Sequence, residues 1–279
     1  MANAQAGREP LEEQRAFACR LDPERALQTL DEAAEFLADR GMLTRMPDCS
    51  LPSLFGACHE EPYKPGGRGF GSWPKTKWWW GGRLASRPGV HVARLHAGKS
   101  LFLTDATAGL ADPLCRAELA GADEGRHGPD EQRLVRHLAD AGPAAIDELK
   151  EELGLGTKQL RAVRTRLERV GAVLAKDLLV EAQDGGHRHT SELYRWDQVF
   201  PEPRRTGGLD DLVVAGVRAA VLAPEREARS WFSWRVSAEA IGALVEAGRI
   251  HRPAPGLLSA AETASARAPA APAPSPRRA

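Results

Sequence analysis

The segment from Asp130 to Pro201 constrains the fold of this chain more than any other part of the sequence. It begins with two short amphipathic helix patterns: Asp130 is suited to cap the first and Gly142 to end it, and the second runs from about 144 to 153. A Gly-Leu-Gly tripeptide then supplies the sharp turn that joins the two helices of a helix-turn-helix. A third helix and two strands follow, so the predicted order is three helices and then a hairpin.

The third helix pattern begins at Thr157, its predicted N-cap, and ends at Gly171. Its apolar stripe is formed by Leu160, Val163, Leu167 and Val170. At about 100° per residue, the remaining surface carries the residues that we expect to contact DNA, with Arg164 on its flank: Lys158, Arg161, Arg164, Thr165 and Arg169. With Arg166, also on a flank, five basic residues against one acidic residue, Glu168, suit a helix that approaches phosphates. A basic face that is only solvated is the alternative.

A hairpin pattern completes the segment. Residues 172–182 and 190–200 are strand-like, and a Gly-rich turn lies between them. We therefore predict a winged helix, with the hairpin as its wing. The tip carries His187, Arg188 and His189, for which we consider both contact with a sugar-phosphate backbone and simple solvation. Winged helices also serve as protein–protein modules, so the fold alone does not predict a DNA partner.

Composition limits the size and number of modules. With 279 residues, 42% of them hydrophobic and 27% charged, the chain can form two or three small cores but not one large sheet domain with its helices. Lys and Arg number 38, as do Asp and Glu, so the formal net charge is zero. Attraction to nucleic acid must then come from local patches, and a neutral total does not exclude it.

The sequence contains no motif for a metal, a cofactor or a membrane span. Four cysteines, Cys19, Cys49, Cys58 and Cys115, make no Cys-x-x-Cys pair, and the spacing around Cys58 and its neighbour His59 does not fit zinc. We expect free thiols, no metal site and, without a P-loop or a dinucleotide-binding motif, no cofactor. The N-terminus lacks the apolar core of a signal peptide, so we expect a cytoplasmic protein.

The stretch from Pro62 to Thr104 contains no Asp or Glu, although 38 of the 279 residues are acidic. Its basic residues are Lys64, Arg68, Lys75, Lys77, Arg83, Arg87, Arg94 and Lys99. Interleaved aromatic residues make the pattern typical of a groove that follows a nucleic-acid backbone. Within this acid-free segment we expect Lys75, Lys77 and Arg83 to contact DNA.

Tryptophans are concentrated in the same segment. Trp73 and the run Trp78-Trp79-Trp80 account for four of the seven in the chain. They could stack on bases or form the core of a small domain, and we expect a core position for at least two of the three consecutive residues. Neighbours on a helix point about 100° apart, so at least one should lie near the surface.

Helix and hairpin patterns recur on both sides of the central segment. We predict helices at 23–39, 75–86, 209–224 and 237–248, and strands at 90–96, 99–104 and 249–254. The fold class is therefore α+β, mainly α, built from tandem winged-helix units. The expected division is a flexible N-terminus at 1–22 with a short helix near 12–19, a Trp-rich basic unit at 23–125, the central winged helix at 126–205, a C-terminal winged-helix-like unit at 206–252 and a disordered Ala/Pro tail at 253–279.

Several short motifs resemble one known family. They are LPSL at Leu51–Leu54, the pattern W-x-x-x-x-W-W-W-G-G-R-L from Trp73, KSLFLT after the first strand, and ELYRWDQVFPE from Glu192 to Glu202. With the central helices, they resemble the DNA glycosylase AlkZ-like proteins, which are bacterial tandem winged-helix proteins, and more closely the shorter AlkZ-related proteins. The resemblance covers about residues 24–252. It implies a bacterial cytosolic protein that acts on double-stranded DNA and excises alkylated or bulky bases.

The family's catalytic motif, Gln-x-Gln or Gln-x-Asp in the first winged-helix region, is absent from the corresponding loop, GMLTRMPDCSLPSL. A hydrolytic glycosylase needs a polar group to position or activate water, and stabilisation of the charge that develops on the sugar. Asp48 is the one carboxylate in that loop and is the candidate for this role. The alternative is a turn aspartate that caps the backbone before Cys49.

Two functions of different class follow. The first is a DNA-repair protein that presents a lesion to a central cleft; if it is an enzyme, it is a monofunctional DNA glycosylase. The second is a non-enzymatic winged-helix DNA-binding protein, regulatory or architectural. We expect a monomer in either case, and the missing glutamines leave enzymatic activity open.

Overall fold

The structure, a computed structural model, describes residues 9–181 and 187–260, without the side chains of 178–181 and 187–189. The fold is α+β and mainly α, with three small antiparallel sheets of three strands each. This confirms the α+β, mainly α part of the predicted fold class. No helix among the described residues is long and apolar enough to cross a membrane.

The N-terminal unit, residues 30–104, is preceded by helix α1 and a single 3-10 turn. The elements are α1 (Glu9–Ala18), the turn Pro23–Arg25, α2 (Leu30–Arg40), β1 (Met42–Thr44), 3-10 turns at Gly56–Cys58 and Gly69–Ser72, α3 (Trp80–Ala85), β2 (Val90–His96) and β3 (Lys99–Thr104). β3 lies between β1 and β2. The two strands predicted at 90–96 and 99–104 are confirmed.

Two helices predicted in this region are shorter than expected. The first begins at Leu30 because the Thr29 side chain accepts a hydrogen bond from the Glu32 N–H and caps the helix there, while Pro23 opens only a 3-10 turn. The second, predicted at 75–86, is helical only from Trp80 to Ala85. In both cases the apolar spacing that predicted the helix continues into a segment that is a loop or a 3-10 turn in the structure.

A 19-residue helix, α4 (Asp105–Asp123), follows β3 directly. No element was predicted here, because Pro113 lies inside the helix and the buried residues are mostly small, such as Ala108 and Ala111. The helix packs against β3 on one side and against helices of the two later units on the other. This helix therefore contacts all three units, and we call it the spine helix.

The central unit contains the three helices and two strands predicted for it, but the second strand, predicted at 190–200, runs from His187 to Arg195 and is followed by a short helix. Its elements are α5 (Pro129–Ala141), β4 (Ala144–Ala145), α6 (Ile146–Glu152), α7 (Thr157–Arg169), β5 (Val173–Glu181), β6 (His187–Arg195) and the short α8 (Trp196–Val199). β6 lies between β4 and β5, and β5 and β6 pair continuously from Val173 opposite Arg195 to Glu181 opposite His187. The predicted N-cap Thr157 is the first helical residue, and Gly156 takes the cap position.

The C-terminal unit repeats this succession. Its elements are α9 (Leu209–Ala220), β7 (Leu222–Pro224), α10 (Glu225–Ala228), α11 (Ala238–Glu246), β8 (Ile250–His251) and β9 (Leu257–Ala260). The helix predicted at 209–224 ends at Ala220, because Val221 takes a positive φ of 65° and the chain turns into β7. β9 lies in the segment expected to be disordered and is the middle strand of its sheet, so the predicted tail begins too early.

All three sheets share one strand order, in which the last strand of each unit lies in the middle. The N-terminal sheet is buried on both faces. Leu101 and Leu103 enter a large core shared with α4 and the other two units, whereas Phe102 enters a smaller core with Phe36 and Trp80. The units are thus joined by a continuous apolar core.

Candidate nucleic-acid interface

Three of the predicted residues on α7 form an exposed face. Lys158, Arg161 and Thr165 are all exposed, and neither cation makes an ion pair or side-chain hydrogen bond with any residue that the structure describes. The inner stripe Leu160, Val163 and Leu167 is buried as the periodicity predicts. The apolar side of the helix is packed in the core, so Lys158 and Arg161 can contact phosphates without breaking an ion pair or hydrogen bond within the described part of the protein.

Other predicted basic residues of α7 take part in packing. Arg164 is half-buried and donates from Nε to Oε1 of Glu168 at 2.9 Å, so its guanidinium is partly engaged within its own helix. Arg169 is exposed but lies at the junction of the three units, where its carbonyl accepts a hydrogen bond from the Ser233 hydroxyl. This end of α7 packs against β2, so its cations lie at an interface that local periodicity does not reveal.

The predicted wing-tip contacts, His187 and Arg188, lie at the start of β6, but their side chains fall outside the described residues. The hairpin that carries them is the longest strand pair in the described part of the chain.

The acid-free segment finds acidic partners elsewhere in the chain. Arg87 pairs with Asp31 at 2.5 Å, Arg94 with Glu168 at 3.0 Å and Lys99 with Asp48 at 2.5 Å. Lys77, a predicted DNA contact, instead donates from Nζ to the Leu27 carbonyl at 2.8 Å and is half-buried. The other two predicted contacts, Lys75 and Arg83, are exposed.

Aromatic side chains of this segment form an exposed cluster. Tyr63, Phe70, Trp78 and Trp79 are each more than two-fifths exposed, whereas Trp80 is 4% exposed. Only one of the three consecutive tryptophans is therefore a core residue, and the prediction of at least two is wrong. Phe70 lies 5.2 Å from Trp73 and 5.4 Å from Trp78 between ring centroids, so the exposed rings continue inward to Trp73. Exposed aromatic faces of this kind can stack on bases.

A cleft of about 730 Å³ lies between the N-terminal and central units. Its walls come from α3, β2 and Trp73 on one side and from α7, β5 and β6 on the other. The lining contains five cations against two carboxylates, namely Arg45, Arg87, Arg94, Arg164 and Lys176 against Glu168 and Asp177. Its volume is within the range of sites for small molecules and would hold a nucleotide.

Arg45 and Lys176 are the two cations of this cleft that find no carboxylate within ion-pair distance among the described residues, and Arg45 is the less exposed of the two. Its guanidinium lies 4.9 Å from the Trp73 ring centroid and 5.9 Å from that of Phe102, and its buried Nε has no hydrogen-bond partner. Burial lowers the pKa of the guanidinium, an effect that Asp177 opposes. A buried, incompletely paired guanidinium favours an incoming anion or carbonyl. Arg45 was not predicted as a site residue because nothing in its local pattern sets it apart.

The two carboxylates of the cleft differ in role. Glu168 is 3% exposed and is held by Arg94 from the N-terminal unit and Arg164 from its own helix, so it links two units. Asp177, on β5, is exposed and makes no ion pair with a described residue. Asp177 is thus the carboxylate of the cleft that is free to act on a bound molecule.

Asp48, the candidate from the sequence, does not line the cleft. It accepts from Lys99 Nζ at 2.5 Å and lies 3.3 Å from Nε2 of the buried His96. Its carboxylate therefore makes tertiary contacts in place of a local cap. Neither water activation at the cleft nor the capping alternative describes this position.

The four cysteines are free, as predicted. Burial raises the pKa of Cys19 and of Cys49 to about 11 and that of Cys58 to about 12, and it raises the pKa of Cys115 as well. Thiols with raised pKa values are poor nucleophiles at neutral pH. None of the four cysteines is therefore a candidate nucleophile.

Comparisons of the chain with protein-family models, with curated proteins and with solved structures gave no match.

Proposed function

We propose that the three units are tandem winged helices, and that the protein binds double-stranded DNA and receives an unpaired or extruded nucleotide in the cleft between the N-terminal and central units. The observation that carries the proposal is the position of this cleft. It lies between the helix that presents Lys158 and Arg161 to solvent and the unit that presents the aromatic cluster.

The succession of elements supports the fold assignment. The central and C-terminal units each run helix, strand, helix, helix, strand, strand, with the last strand in the middle of the sheet. The N-terminal unit differs because a 3-10 turn, Gly56–Cys58, takes the place of its second helix. In the central unit, α7 is the third helix, the position of a recognition helix in this architecture.

The charge distribution supports nucleic acid as the partner. Exposed, unpaired cations on α7 can contact the phosphates of a duplex, and Trp73 with Arg45 can receive one nucleotide by stacking and by hydrogen bonding. An unpaired or damaged base costs less to extrude than a paired one, so the cleft would select for it. Repair of alkylated or bulky adducts, which the AlkZ-like resemblance implies, agrees with this selection.

The proposal is tested by comparing a perfect duplex with one that carries a single bulged 2-aminopurine, by anisotropy and base fluorescence. We expect tighter binding of the bulged duplex by more than about tenfold, since extrusion then spares a few kcal/mol of unstacking. Arg45→Met should remove the preference but keep the affinity for the perfect duplex. Arg218→Met, an exposed arginine on α9, is the matched control. Equal affinity for both duplexes would contradict the proposal.

A second experiment separates hydrolysis from binding alone. Asp177 in the cleft, beside Arg45, favours a monofunctional DNA glycosylase in which this carboxylate positions water. The protein is incubated with alkylated duplex DNA, and abasic sites are detected by alkaline cleavage. Base release that Asp177→Asn abolishes and Asp48→Asn leaves intact would support the enzyme. Binding without release would support the non-enzymatic alternative.

A further inference from the structure

The structure brings two adjacent metal-ligating side chains together with a third that is distant in the sequence. Asp48 and Cys49 lie in the loop after β1, and His96 ends β2. A carboxylate oxygen, the thiol sulfur and an imidazole nitrogen of these residues lie within 4.8 Å of one another. From this geometry we propose that Asp48, Cys49 and His96 form a binding site for a divalent transition-metal cation of the zinc class.

The orientation of His96 carries the first step of the argument. Its Nδ1 lies 2.6 Å from the Trp231 carbonyl oxygen, which can only accept, so Nδ1 bears the proton. In the neutral ring, Nε2 then presents a lone pair to Oδ1 of Asp48 at 3.3 Å. Two acceptors facing each other need a cation or a proton between them. A histidine that donates its other N–H to a backbone carbonyl is the arrangement found around metal-ligating histidines.

The second step concerns the remaining ligands. Oδ2 of Asp48 is held by Lys99 Nζ at 2.5 Å, which leaves Oδ1 directed toward His96. An outer hydrogen bond of this kind orients ligating carboxylates. Cys49 adds a sulfur, and nitrogen, oxygen and sulfur together suit zinc better than calcium or magnesium. On binding, the thiol proton leaves to solvent and a metal–sulfur bond forms.

Access and position form the third step. The Asp48 side chain is 28% exposed, and Cys49 opens on a groove of about 520 Å³ between the N-terminal and C-terminal units. Because His96 is hydrogen-bonded to Trp231 of the C-terminal unit, the bound ion would stabilise the junction of these two units. Three protein ligands leave a fourth tetrahedral position for water. The site lies outside the cleft, so it does not depend on the proposed DNA function.

The test uses the full chain, purified in the presence of Zn²⁺, dialysed, and analysed by elemental mass spectrometry and by titration with Co²⁺. We expect one ion per chain, a sulfur-to-cobalt charge-transfer band in the near ultraviolet and a higher Tm with metal. Cys49→Ser should remove the band. His96→Gln should weaken Zn²⁺ binding by more than about 100-fold, since loss of an outer-shell partner alone costs about 10–100-fold.

The matched control is His91→Gln, because His91 lies on the same strand and faces Asp105 at 2.6 Å without a described thiol completing a ligand set. It should leave the stoichiometry, the band and the Tm shift unchanged. Circular dichroism of each apo variant separates loss of a ligand from loss of fold. Failure to bind either ion would overturn the proposal and leave a proton between His96 and Asp48. A charge-transfer band that survives Cys49→Ser would also overturn it.

Discussion

The two basic regions of this molecule are both rich in Lys and Arg but have different surroundings. On α7, Lys158 and Arg161 stand free on an exposed face. In the acid-free segment, Arg87, Arg94 and Lys99 pair with carboxylates that arrive from other parts of the chain. A stretch without acidic residues in the sequence is therefore not a surface without acidic residues. Cations that are paired with carboxylates, which we call tied, should matter for stability. Exposed cations without such a partner, which we call free, should matter for binding.

The largest stability effect is expected at Asp112, a tied charge of the spine helix α4. This carboxylate is 1% exposed and accepts hydrogen bonds from Trp196 Nε1 at 2.7 Å, from the Arg204 N–H at 2.8 Å and from the Arg116 guanidinium. Asp112→Ala leaves these donors unpaired and should lower the free energy of unfolding by about 3–5 kcal/mol in urea denaturation.

The control for Asp112 is Glu35→Ala, which removes an exposed carboxylate from α2. It should change the free energy of unfolding by no more than about 0.5 kcal/mol. A similar loss in the free energy of unfolding for both variants would contradict the distinction between tied and free charges.

The link between the N-terminal and central units is the next test. Glu168→Gln removes the charge that Arg94 and Arg164 share, and we expect a loss of about 3 kcal/mol in urea denaturation because both guanidinium groups lose a buried partner. Glu151→Gln, an exposed change on α6, is the control. DNA affinity measured well below the unfolding transition should stay unchanged; a large rise in affinity would show that Arg94 and Arg164, once released from Glu168, also bind.

The exposed aromatic cluster gives a smaller effect, on binding. Trp79→Ala should weaken binding of single-stranded oligonucleotides by about 1–3 kcal/mol in a fluorescence-quenching titration, if this ring stacks on a base. Trp80→Ala should instead destabilise the fold by about 3–5 kcal/mol, because Trp80 is 4% exposed. Unchanged oligonucleotide affinity in Trp79→Ala would remove the cluster from the binding surface.

Sequence periodicity predicts those features of the fold that depend on neighbouring residues in the chain. The buried stripe of α7 and the strands β2 and β3 follow from periodicity, and both agree with the structure. Arg164 and Lys77 were expected to contact DNA, and the sequence did not predict that Glu168 and the Leu27 carbonyl hold them through contacts that depend on packing. Tertiary context overrides a correct local pattern there.

Features that depend on distant parts of the chain could not be predicted. Helix α4 was missed because small residues and Pro113 mask its pattern, and β9 because its composition resembles the tail. The approach of Asp48 to His96 joins positions 48 residues apart, so cysteine spacing alone predicted no metal ligands there. Arg45 likewise gains its role only when Trp73 covers it.

The salt dependence of duplex DNA binding tests the central claim most directly. For the wild-type chain, affinity should fall steeply with salt. Lys158→Ala/Arg161→Ala should lower the magnitude of the log–log slope by about 2, because each of these two cations is expected to neutralise one phosphate. The control Arg218→Ala/Arg226→Ala removes the same charge from the exposed surface of the C-terminal unit and should keep the wild-type slope. A wild-type slope near zero, or equal slopes for the two double variants, would contradict the account.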